Sequence, residues 1–223
     1  MSREEKRKVL LQAASEALME YGPHKTTLDD IARRAGMSKT SLYYYFRDKN
    51  EIIRAIVQGY TEQLIDLMKQ AAASKKSAED RMFALIEARS RFLAEKTRHA
   101  SREVVQEFRS LEGVFETEKE LYLQAHLDLV RGILEDGVSR GEVRPLDNLE
   151  LLSLVLISSM FGCDRTFAFY DRPDRMMEAM KQMNRIFFTG LRNDPGAPPA
   201  AFGRMPESGR APETKTPHGG RPS

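Results

Sequence analysis

Along almost all of the first 192 of its 223 residues, apolar side chains recur at intervals of three and four, and no stretch alternates strictly between apolar and polar. That is the period of an α-helix with one face on a core, and it confines the chain to an all-α fold. The period is broken at "YGPHKTT", "AGMSK", "RDKN", "ASKKSAED", "KTRHAS", "LEGV", "SRGEVRPLDN" and "YDRP", which divides the chain into roughly nine helices. Asp48 with Glu51, and Ser77 with Asp80, have the spacing of helix-start caps, and Pro173 suits the first turn of the last helix. A hydrophobic content of 41% is enough to build a core in a chain of this length.

Several function classes fall away on composition. The single cysteine, Cys163, sits in an apolar run and leaves no disulfide framework, as expected of a chain in a reducing cytosol. The four histidines, His24, His99, His126 and His218, have no metal-ligand spacing, and there is no Gly-rich phosphate loop or nucleophile elbow. Neither an enzyme nor a bound cofactor is expected. The charged N-terminus does not read as a signal peptide, and the longest charge-free run, 151–163, falls short of the ~20 residues of a spanning helix. The expectation is a cytoplasmic protein without a membrane partner. A net charge of +2 does not mark the whole chain as a nucleic-acid binder, so any such role must come from local placement of charge.

The helices are short and close together before residue 47 and long beyond it. This predicts an N-terminal unit over 1–48 and a larger helical unit over 49–192. Residues 193–223, rich in Pro and Gly and poor in large apolar residues, are expected to form a disordered tail, since burial there cannot offset the entropy of ordering.

The segment "TTLDDIARRAGMSKTSLYYYF" carries the strongest local signal. Leu28–Ala35 reads as a short helix with Ile31 and Ala35 inward and small Ala32 where a second helix crosses. Gly36 supplies the turn, Met37 plugs the corner, and Ser38 caps a following helix whose apolar side is Leu42 and Phe46. This is a helix-turn-helix. With Leu42 and Phe46 inward, Tyr43 and Tyr44 must point largely outward, and Tyr45 lies on a flank. Outward tyrosines offer rings to bases and sugars and hydroxyls to phosphates, and the start of the helix adds Ser38, Lys39, Thr40 and Ser41. Lys49 follows, and Thr26 and Thr27 stand at the start of the preceding helix.

With "VLLQAASEALMEYG" before it and "DKNEII" after it, this segment resembles the DNA-binding domain of the TetR family of bacterial transcriptional regulators over residues 5–54. The resemblance implies an N-terminal three-helix helix-turn-helix domain followed by a larger helical domain for effector binding and dimerisation. It implies DNA contacts at Thr26, Ser38, Lys39, Thr40, Tyr43, Tyr44, Tyr45 and Lys49. By side-chain chemistry Lys39, Thr40 and Tyr43 are assigned to base edges, and Tyr44, Tyr45, Lys49 and Thr26 to phosphates. Arg33 and Arg34 are further phosphate candidates. The expected partners are double-stranded operator DNA, a second copy of the chain and a small effector, the output being repression released by that effector. A ligand-independent regulator or an activator, with a solid C-terminal core, is the alternative.

The last two helices, 148–170 and 173–192, are the candidate dimer interface. The first is apolar on nearly all sides, with Ser158, Ser159, Gly162 and Cys163 permitting close approach. The second carries Met176, Met180, Met183, Phe187 and Leu191 at helical spacing. For a lipophilic or aromatic effector the candidate lining is Leu64, Met68, Phe83, Ile86, Phe92, Val104, Phe108, Phe115, Tyr122 and Phe161. Arg89, Arg109 and His126 fall on amphipathic helices, where solvent exposure is the ordinary fate and a polar or anionic group of the effector the functional one.

Overall fold

The computed structural model describes residues 1–98, 100–114, 116–169 and 173–193, with side chains for all of these except Arg109, Glu112, 164–169, 173 and 174. The expectations for Phe115, for the Arg109 side chain and for 194–223 lie outside the described residues. The described elements are α1 (Arg3–Tyr21), α2 (Leu28–Arg34), α3 (Lys39–Tyr45), α4 (Lys49–Ala73), α5 (Ala78–Thr97), α6 (Arg102–Ser110), α7 (Glu116–Ser139), α8 (Leu149–Phe169) and α9 (Pro173–Leu191). One turn of 3₁₀ helix, Glu112–Val114, joins α6 to α7. The fold is all-α, and no helix among the described residues is long and apolar enough to cross a membrane.

The first five helices start at side-chain caps. Ser2, Thr27, Ser38, Asp48 and Ser77 each accept the backbone N–H of the residue three further on, satisfying donors that have no partner within the helix. Asp48 and Ser77 stand where the sequence spacing puts them.

Two clusters of apolar side chains hold these helices together. The first joins Leu10, Ala14 and Leu18 of α1 to Ile31 and Ala32 of α2 and to Leu42 and Phe46 at α3. It does not stop at the expected boundary of 48/49: Ile52, Ile53 and Ile56 of α4 are buried in it, and Phe108 and Leu111 pack against it. The second cluster draws on α4, α5, α7, α8 and α9, around Met68, Met82, Leu85, Val130, Leu134 and Ile157. Helix α4 runs through both. Tyr60, on α4, packs against both clusters, and its hydroxyl lies 2.5 Å from the buried Ser15 Oγ of α1. Residues 1–193 accordingly hold together as one unit.

The turn between α1 and α2 is clasped from two sides. Glu107 of α6 accepts the His24 backbone N–H at 3.1 Å, and the Lys49 ammonium at the start of α4 donates to the carbonyls of Pro23 and Thr26 at 2.5 and 2.9 Å. Gly22 opens this turn at φ +85°, and a Cβ there would stand 2.5 Å from the Glu107 carboxylate. Gly22→Ala therefore combines backbone strain with displacement of Glu107, and it is expected to lower the unfolding free energy by about 1–3 kcal/mol in urea titrations.

Candidate functional site

Helix α3 is fixed in rotation by its apolar side. Leu42 and Phe46 are 0% and 2% exposed, whereas Tyr43 and Tyr44 between them are 49% and 65% exposed. Residues one turn apart face one way and those between them face another, so burying the first pair turns the second outward. Ser38, Lys39, Thr40 and Ser41 are all exposed at the other end of the same helix, with Ser38 Oγ accepting the Ser41 N–H at 3.1 Å. Gly36 makes the turn into this helix at φ +64°, which only glycine enters without strain.

The arrangement differs from the sequence expectation at two residues. Thr26 is 1% exposed, and its hydroxyl is directed at the carbonyls of Gly22 and Ala17, 2.7 and 3.2 Å away. Its side chain braces the α1–α2 turn and does not reach a phosphate. Lys49 is half-buried with its ammonium on that turn, which makes it an internal clasp. Tyr45 is half-buried against the N-terminal core, with its ring edge-on to Tyr44 at 5.2 Å.

Charge around α3 is partly internally matched. Lys39 donates to Asp29 of α2 at 2.9 Å, and this hydrogen bond holds its ammonium above the usual lysine range. Both partners are exposed, so the pair exchanges readily for another anion. Arg33 sits beside Asp30, and Arg34 pairs with Glu20 at 2.5 Å. The sequence reading missed the start of α1: the Arg3 guanidinium lies over the Tyr44 ring at 5.1 Å, and an open groove of about 620 Å³ between α1 and α3 is lined by Lys6, Val9, Ser38, Ser41 and Tyr44. The basic run "REEKRK" is its sequence signal.

The candidate effector residues separate. Leu64, Met68, Ile86 and Phe92 are buried in the second core, and Tyr122 and Phe161 pack against it. Val104 is also buried. Phe108 instead joins the N-terminal core, because α6 lies against α1. Phe83 faces α9, 6.0 Å from the Lys181 ammonium, and is not among the residues of the second core.

Arg89 and His126, whose helix positions suggested solvent, are 4% and 0% exposed. Arg89 Nε donates to the Tyr122 hydroxyl at 3.1 Å, and its guanidinium covers the Phe161 ring at 4.9 Å. Tyr122 stacks on Phe161 at 6.0 Å, and His126 meets the Tyr122 ring edge-on at 4.1 Å. Helical periodicity cannot reveal such burial, because it requires α5, α7 and α8 to meet.

Fold and exposed helix together define a helix-turn-helix DNA-binding protein. Residues 10–56 match the profile of the family described as bacterial regulatory proteins, tetR family. The fatty acid metabolism regulator protein of Bacillus subtilis (strain 168) is 21% identical over 82% of this chain and 94% of its own length. The HTH-type transcriptional activator FasR of Mycolicibacterium smegmatis is 38% identical, but over only 40% of this chain and 40% of FasR. The crystal structure of FadR from Bacillus subtilis in complex with stearoyl-CoA superposes with a TM-score of 0.68 at 21% identity, covering 83% of this chain and all of that one (100%). Residues 10–56 therefore carry the DNA-binding domain of that family, and the chain is similar along most of its length to transcriptional regulators.

Burial of His126 has a pH consequence. Desolvation, reinforced by the Arg89 charge and opposed by the hydrogen bond to the Tyr122 carbonyl, pulls its pKa down to about 4 from 6.5. The unfolded chain then binds a proton that the folded chain refuses. The stabilisation is complete above pH ~6.5 and is lost progressively as pH falls from there towards ~4, up to about 3 kcal/mol. Denaturant titrations across that window should show this loss in the wild type and a smaller one in His126→Phe.

Proposed function

We propose that the protein is a dimeric repressor that reads a roughly palindromic operator with two copies of α3 and leaves it when a lipophilic effector enters the second core. The observation that carries the DNA half is the outward face of α3, where Tyr43, Tyr44, Lys39, Thr40 and Ser38 share one exposed surface while Leu42 and Phe46 hold the helix to the protein. Lys39, Thr40 and Tyr43 meet base edges in the major groove; Ser38 and Tyr44, with part of Tyr45, meet the backbone. Exchange of Asp29 for DNA at the Lys39 ammonium accompanies binding.

One recognition helix spans few base pairs, so a second copy is needed for useful specificity. The surface that supports it is on α8: Leu151, Leu154 and Val155 are 58%, 37% and 44% exposed, and they continue at helical spacing into exposed Ser158 and Gly162. On α9 the exposed apolar residue is Ile186, at 74%. The stripe expected to join two chains, from Met176 to Leu191, instead packs on the second core of its own chain. The dimer face is the opposite side of the same helices.

The effector half rests on the apolar second core and on the likeness to a regulator crystallised with stearoyl-CoA. Effector binding favours a conformation in which α4 and α6, both clasped to the α1–α2 turn, hold the two α3 helices off register with successive major grooves. A differential affinity of about 1–3 kcal/mol between the two states is the usual scale, and by linkage operator DNA weakens effector binding by the same factor.

On operator fragments selected from random sequence, Tyr44→Ala should weaken binding to all sequences alike, by about five- to tenfold, whereas Lys39→Ala should change which sequences are preferred. Equal operator affinity in both variants and the wild type defeats the assignment. Val155→Glu should turn the dimer into a folded monomer by light scattering, with loss of operator binding, since a carboxylate buried at an apolar interface has no partner.

A further inference from the structure

The buried group beside the aromatic pair has a defined hydrogen-bonding demand. His126 Nδ1 lies 3.0 Å from the Tyr122 carbonyl oxygen, which can only accept, so Nδ1 carries the hydrogen. In the neutral ring Nε2 then holds a lone pair. That atom is buried and has no hydrogen-bond partner among the described residues. An acceptor buried in this way destabilises the fold until a donor reaches it. The Tyr122 and Phe161 rings lie 4.1 and 5.8 Å from the imidazole, and Arg89 donates to the Tyr122 hydroxyl and covers the Phe161 ring. The apolar residues Leu64, Met68, Ile86 and Phe92 belong to the same core.

We infer that His126, with Arg89 and Tyr122, is the polar end of the effector site, and that it selects an apolar molecule bearing a hydrogen-bond donor, a hydroxyl or a carboxamide. The ligand's hydrogen goes to His126 Nε2, its oxygen faces the Arg89 charge, and its hydrocarbon lies along the core. An ionised carboxylate offers only acceptors and sets lone pair against lone pair, whereas an ether or a methyl ester leaves Nε2 as it was. The inference rests on the effector reading above and adds the chemistry of the group that is recognised.

The test uses the full-length protein with dodecanol, dodecanamide and dodecyl methyl ether, probes of similar length with and without a donor. Calorimetry should give about tenfold tighter binding for the two donors than for the ether. In His126→Phe this ratio should collapse to near one while the melting temperature of the unliganded protein rises, since an apolar ring replaces a bare acceptor. Binding of all three probes with equal affinity to the wild type, or a preference that survives in His126→Phe, overturns the inference and leaves the effector reading standing. Failure of every probe to bind removes both. A readout independent of the variant's folding is the nitrogen resonance of His126 Nε2 in the wild type. It should move upfield with dodecanol and stay in place with the ether; no movement with dodecanol counts against the inference.

Discussion

The burial of Leu42 and Phe46, one helical turn apart, is the contact on which the exposed face of α3 depends. A seven-residue helix has little stability of its own, because its few internal hydrogen bonds do not offset the cost of nucleation. Helix α3 exists because those two side chains are seated among Leu10, Ile31 and Ile52, and that seating also sets its rotation. Tyr43 and Tyr44 are exposed as a result of it. The exposed face follows from the buried one.

The N-terminal core is tied to the rest of the chain through shared side chains. Helix α4 contributes to both apolar clusters, and Tyr60 touches each. The α1–α2 turn, which sets the position of α2 and so of α3, is held by Glu107 from α6 and by Lys49 from α4. A shift of either helix relative to α1 therefore acts on the turn directly. These bonds explain why Thr26 and Lys49 are drawn inward: carbonyls at a tight turn need donors, and a buried hydroxyl and an ammonium supply them.

Much of this was legible from local signals. The positive-φ turn at Gly36, the caps Ser38, Asp48 and Ser77, the inward pair Leu42 and Phe46 and the outward Tyr43 and Tyr44 all follow from interactions within a few residues of chain. The readings that changed were long-range. Aromatic residues at helical spacing mark an apolar face without naming what covers it, and α6 and α5 turn Phe108 to the N-terminal core and Phe83 towards α9. Met176 to Leu191 marked the buried side of α9, whereas Ile186 lies on its open side.

The sequence by itself determined the helical class, the helix-turn-helix and the identity of the residues that α3 displays, because period, caps and turn chemistry act between neighbours in the chain. Only the tertiary structure decided that Thr26 and Lys49 brace a turn, that Arg89 and His126 are enclosed beside Tyr122 and Phe161, and which sides of α8 and α9 stay open. Each of those depends on helices distant in sequence arriving at one place, and a side chain's burial and partners are set by what arrives.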